Sequence, residues 1–182
     1  MKSNPEPNSH TDYRAARKAF IAACEAAHAD PISRVHPKIS GPDGKPLFID
    51  SVALGPRAAK KAVLIIADGA AASAAVTALL RGGVILPKDA RLVLVHAFDP
   101  FSFAGTSQSD PEWSLAMMRA VAVEDLARVT DLTVLACGVP AARLADFHTP
   151  QTPKVRLVFK QVDAKPGMKM LRKIVTDELA RF

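Results

Sequence analysis

Between Lys61 and Ala104 two short, wholly apolar runs flank a stretch of small helix-forming residues, and few folds accommodate that order. Val63 to Ala67 predicts a buried strand, Asp68-Gly69 a tight turn, Ala70 to Leu80 a helix, and Leu92 to His96 a second buried strand. Unbroken apolar runs belong to strands covered on both faces, and parallel neighbours need a crossover connection, so the stretch reads as a βαβ unit of a parallel sheet. Open sheets of this kind bind ligands beyond the carboxyl ends of their strands. Asp68 and His96 stand at those ends. The turn after the first strand nevertheless carries three consecutive alanines, Ala70 to Ala72, and no cluster of nucleophile, base and metal ligand follows it.

The flanking sequence supplies partners for such a unit. Residues 1–10 are polar and proline-bearing and are expected to form a disordered tail, with 11–182 as one α/β domain. Thr11 is a suitable N-cap for a helix over Asp12 to Ala29, whose apolar positions Tyr13, Ala16, Phe20, Ala23, Cys24 and Ala27 recur at helical spacing. Asp43-Gly44 lies between Ile39 and Leu47 as a hairpin turn would, and a strand over Leu47 to Ala53 should follow. Asp99-Pro100, Ser102 and Gly105 to Ser109 read as a long polar connection. Asp110-Pro111-Glu112 is the clearest helix start, leading to about Arg128. Leu132 to Cys137 reads as a buried strand. Lys154 to Val162 alternates polar with apolar residues, as an edge strand does, and Met168 to Phe182 forms an amphipathic helix whose buried face would be Met170, Leu171, Ile174, Val175 and Leu179. The expected architecture is therefore α/β: a mostly parallel or mixed sheet of about five strands with helices on both faces.

Composition narrows the function classes. A chain with 49% hydrophobic and 23% charged residues can bury a core, and no apolar segment approaches the ~20 residues that span a bilayer. Cys24 and Cys137 are too few for a disulfide framework and sit in no CxxC pattern, so reduced thiols and a cytoplasmic location are expected. A net charge of +6 suits an acidic partner, either a protein or a small molecule. The cations are spread out and not interleaved with aromatics, so neither nucleic acid nor membrane is an expected partner. No G-x-G-x-x-G or G-K-[ST] pattern marks a phosphate loop.

Four blocks, AARKAF (Ala15 to Phe20), HPKISGPDGKPLFIDSVALGP (His36 to Pro56), LIIADGA (Leu64 to Ala70) and LVLVHAFDPFSFAG (Leu92 to Gly105), resemble in order a bacterial carboxypeptidase-like family of unknown function. That family is a branch of the zinc carboxypeptidase superfamily. The resemblance spans roughly the first 105 residues and implies a reduced zinc-carboxypeptidase-like sandwich, with zinc held at the carboxyl ends of central strands. It also implies what is missing. The family's paired His and Glu ligands fall on Ala71 and Ala74, and an alanine methyl cannot coordinate a metal. The Asn- and Arg-rich block that anchors a substrate carboxylate is replaced by TSQSDPEW, with no arginine before Arg119. Asp146-Phe147-His148-Thr149 resembles the motif of the third ligand, although Pro150 stands where that motif has glycine.

These observations lead to the expectation of a truncated, catalytically inactive, metal-free relative of the zinc carboxypeptidases with a binding or scaffold role and no cofactor. Asp68, His96 and His148 form the candidate pocket. One alternative is a hydrolase in which those three residues hold zinc in a rearranged site, since His, His and carboxylate is a workable ligand set. Another is a basic module that binds an acidic partner through Lys154, Arg156, Lys160 and the cations of the last helix. Bland roles compete at each position: His96 as a hydrogen-bonded core histidine, Asp68 as the cap of the following helix, and Cys137 as an inert buried thiol rather than a nucleophile served by His96 or His148.

Overall fold

The computed structural model of the chain describes residues 9–144, 156–162 and 167–181. Its strands are β1 (Ile32–Ser40), β2 (Pro46–Leu54), β3 (Lys61–Ala67), β4 (Ala90–His96), β5 (Asp131–Cys137) and β6 (Arg156–Val162). They form one mixed sheet in the order β1-β2-β4-β3-β5-β6. β4, β3, β5 and β6 run parallel, while the β1–β2 hairpin adds to β4 in the antiparallel sense. The expected mixed sheet is thus present, with β1 as its sixth strand and β6 at the far edge.

Alternation along the central strands explains why both faces are covered. Val63, Ile65, Leu92 and Leu94 pack with Phe20, Ala23, Val76, Leu79, Leu171 and Val175, which belong to α1 (Ser9–Ala26), α2 (Ala70–Arg81) and α5 (Met168–Ala180). Leu64, Ile66, Val93 and Val95 point the other way, against Met118, Val121 and Ala122 of α4 (Pro111–Asp125). Every one of these strand residues is completely buried. Ile66→Ala should therefore lower the unfolding free energy by about 2 to 5 kcal/mol. A urea midpoint unchanged by that substitution would contradict the central placement of β3.

Several local expectations are corrected. α1 begins at Ser9, so Thr11 lies inside the helix rather than capping it, and only residues 1–8 of the expected tail lie outside the described residues. Asp99-Pro100 starts a short helix, α3 (Pro100–Ala104), instead of a polar connection. The Asp99 carboxylate accepts from the Ser102 backbone N–H at 3.0 Å, the same N-cap and proline arrangement by which Asp110 accepts from Trp113 N at 2.9 Å ahead of α4. Phe101, Phe103 and Ala104 are buried by it. On α5 the buried side chains include Leu171, Val175 and Leu179, whereas Met170 faces outward. Among the described residues no helix is long and apolar enough to cross a membrane.

Candidate functional site

The carboxyl ends of β3, β4 and β5 present Asp68, His96 and Cys137 along one edge, but their side chains do not converge. His96 shares its strand parity with Leu92 and Leu94 and therefore enters the face covered by α1. There its ring stacks on Phe20 at 5.1 Å between centroids and lies 6.5 Å from Tyr13 and 6.3 Å from Phe103. It is completely buried, and neither ring nitrogen has a hydrogen-bond partner among the described residues. The expectation of a hydrogen-bonded core histidine is corrected accordingly: the ring is in the core, held by aromatic packing. Burial pushes its pKa down to about 4, with the nearby Asp50 pulling it up and Arg17 pulling it down.

Asp68, one residue past β3, has the opposite parity from Ala67, which packs in the cluster with Phe20. Its carboxylate does not cap α2, whose N-cap is Gly69 with no side-chain hydrogen bond. It accepts instead from the Asp99 backbone N–H at 3.1 Å. The turn is tight enough that a side chain at Gly138 would meet the Asp68 carbonyl oxygen at 2.5 Å, and Gly138 adopts a φ of +76°. Burial raises the Asp68 pKa to about 7, with the Asp99 carboxylate adding to the rise and the Asp99 amide and Arg143 opposing it. Asp99 is itself paired with Arg143, 2.8 Å away, on a short 3-10 turn over Ala141–Leu144, and the same guanidinium sits over the Phe98 ring at 5.1 Å. The edge thus carries two neighbouring carboxyl groups and a cation supplied by the chain.

Cys137 is buried, and burial pushes its thiol up to about 12, so the thiolate a nucleophile needs is strongly disfavoured. His148 lies outside the described residues. Ala71 and Ala74 fall on α2, Ala71 half-buried and Ala74 exposed, so the zinc ligands implied by the family resemblance have no donor atoms at either position. Among the described residues no group of three His, Cys, Asp or Glu side chains could hold a metal ion.

Asp99 and Arg143 were not among the candidate residues. The Asp-Pro pair was the available cue for Asp99, because it has the form of a helix start; Arg143 has no local cue, since its partner is 44 positions away. A second buried carboxylate, Asp50 on β2, lies directly across the sheet from His96. Arg17 of α1 grips it with two bonds of 2.8 and 3.0 Å, and Ser33 donates to it as well. Of the basic carboxyl-terminal segment, Lys154 and Lys165 lie outside the described residues. Lys160 is paired with the buried Glu178, which Arg181 also approaches at 3.0 Å, and Lys173 pairs with Asp177 at 3.2 Å.

An α/β sandwich whose candidate edge lies at the carboxyl ends of parallel strands is the class of protein that these features define. The chain belongs to the DUF2817 family, described as proteins of unknown function, whose pattern it matches over residues 10–112. No curated protein matches the sequence. Among solved structures, a Porphyromonas gingivalis glutaminyl cyclase is similar at 13% identity over 70% of this chain and 57% of that one, with a TM-score of 0.43. A Macrostomum lignano glutaminyl cyclase is similar at 11% identity over 89% and 75%, with a TM-score of 0.45. The Legionella pneumophila LapA aminopeptidase is similar at 13% identity over 69% and 35%, with a TM-score of 0.38. The chain therefore spans less than two thirds of the Porphyromonas enzyme's length.

Proposed function

We propose that this protein is a metal-free member of its family that has lost peptidase chemistry and acts by binding. The observation that supports the reading is the way the chain's own groups fill the carboxyl edge of the sheet. Arg143 provides the positive charge beside Asp99 and Asp68, and α1 closes over His96. A hydrolytic metal centre needs two or three donor side chains directed at one open point. Asp68 and His96 instead leave the edge with opposite parity, toward different partners. The alanines at 71 and 74 remove the paired donors that the family resemblance implies.

Elemental analysis of the purified protein tests this directly. The expected result is no stoichiometric zinc, with no change in His148→Ala. About one zinc per chain, lost in that variant, would overturn the metal-free reading in favour of the rearranged site.

A further inference from the structure

A buried histidine with no hydrogen-bond partner among the described residues is costly to keep, and this one lies between the helix that covers it and a strand that carries a buried carboxylate. Among the described residues its surroundings leave a positive ring no uncommitted counter-charge. From β2 it faces Asp50, but both Asp50 oxygens are already engaged by Arg17, and one of them also accepts from Ser33. From α1 it meets Tyr13, Arg17 and Phe20. The Tyr13 hydroxyl is committed to the Phe48 backbone, donating to the carbonyl at 2.9 Å and accepting from the N–H at 2.8 Å. Cys24, in the same apolar cluster as Phe20, stays a neutral thiol because burial raises it to about 11. α3 contributes Phe103, and the buried side chains of α2 include no titratable group.

We propose that His96 is a proton-operated latch for α1: the helix closes over a neutral ring, and protonation in mildly acidic solution is accommodated by α1 lifting from the carboxyl edge of the sheet, uncovering Tyr13, Phe20 and Phe103. The alternative, a charged ring that stays enclosed, would have to take Asp50 from Arg17. That exchange would itself undo the ion pair that holds α1 to β2. Either route ends with the helix loosened. Closure favours the neutral ring and opening restores its ordinary affinity for protons, so the opening equilibrium rises as pH falls below the ordinary histidine value of 6.5 and levels off near 4. Between pH 8 and pH 4.5 the expected increase is about 70-fold.

Amide hydrogen exchange of the full chain, corrected for intrinsic rates and compared over this pH range, reads the opening residue by residue. Wild type should lose protection in α1 by about 70-fold, and His96→Phe, which keeps a ring against Phe20 but cannot titrate, should show a flat profile. The wild-type His96 ring, followed by NMR, should stay neutral at pH 5.5. α1 protection that does not change with pH in wild type, an equal acid loss in His96→Phe, or a ring that charges near 6.5 while α1 remains protected would each overturn the proposal. The two wild-type readouts decide the matter even if the variant does not fold.

Discussion

Arg91→Ala should cost about 3 to 5 kcal/mol of unfolding free energy, the range for breaking a buried ion pair from one side. Arg91 and Asp125 meet at 2.8 Å with side-chain exposures of 4% and 6%, where the start of β4 faces the end of α4. Arg91 also donates to the Gly55 carbonyl at 2.9 Å, so one guanidinium ties β4, α4 and the end of β2 together. The second half of the fork is not closed: Arg91 Nε and Asp125 Oδ2 have no partner among the described residues. Removing the arginine leaves a carboxylate enclosed without counter-charge, which costs more than the pair contributes. The double variant Arg91→Met with Asp125→Leu should recover most of the loss, because two apolar side chains need no solvation. Urea denaturation of the three proteins measures both quantities. A single-variant cost below about 1 kcal/mol would place the pair in water instead, where such contacts contribute little.

Asp68→Asn should stabilise the protein at alkaline pH and leave it unchanged in acid. The folded protein raises the Asp68 pKa from 3.8 to about 7, so folding favours the protonated carboxyl. Its contribution is fully present below pH 3.8 and is lost as pH rises through 7. A shift of that size corresponds to at most about 4 kcal/mol, and partial exposure of Asp68 reduces it. Asparagine keeps an acceptor for the Asp99 N–H and cannot ionise, so the variant should gain most at pH 9. His96 acts in the opposite sense: its lowered pKa contributes stability above pH 6.5 that is lost as pH falls toward 4, on the order of 3 kcal/mol. Between pH 4 and pH 7 the two groups nearly cancel in wild type. Asp68→Asn removes one of them, so the variant's stability should fall visibly as pH is lowered from 7 to 4. Chemical denaturation at pH 5, 7 and 9 checks the sign, and equal stability of variant and wild type at pH 9 would mean that Asp68 ionises freely.

What the residues determine locally was legible without coordinates. Unbroken apolar runs mark β3, β4 and β5 because strands covered on both faces have no polar positions, and Asp43-Gly44 marks the β1–β2 hairpin because its turn requires a positive φ, which Gly44 supplies at +72°. Asp110-Pro111 marks α4 because capping is a contact between residues three apart. The same rule applied to Asp99-Pro100 would have found α3. The candidate site depended on contacts with no sequence period. Asp68 and His96 stand at adjacent strand ends, yet side-chain alternation sends one toward the Asp99 amide and the other beneath α1. Asp50 meets Arg17 across 33 positions, and Asp99 meets Arg143 across 44. Partners that distant are chosen when the sheet assembles and burial makes an unpaired charge expensive, which is why the strands could be read from the chain and the fate of its polar residues only from the packed structure.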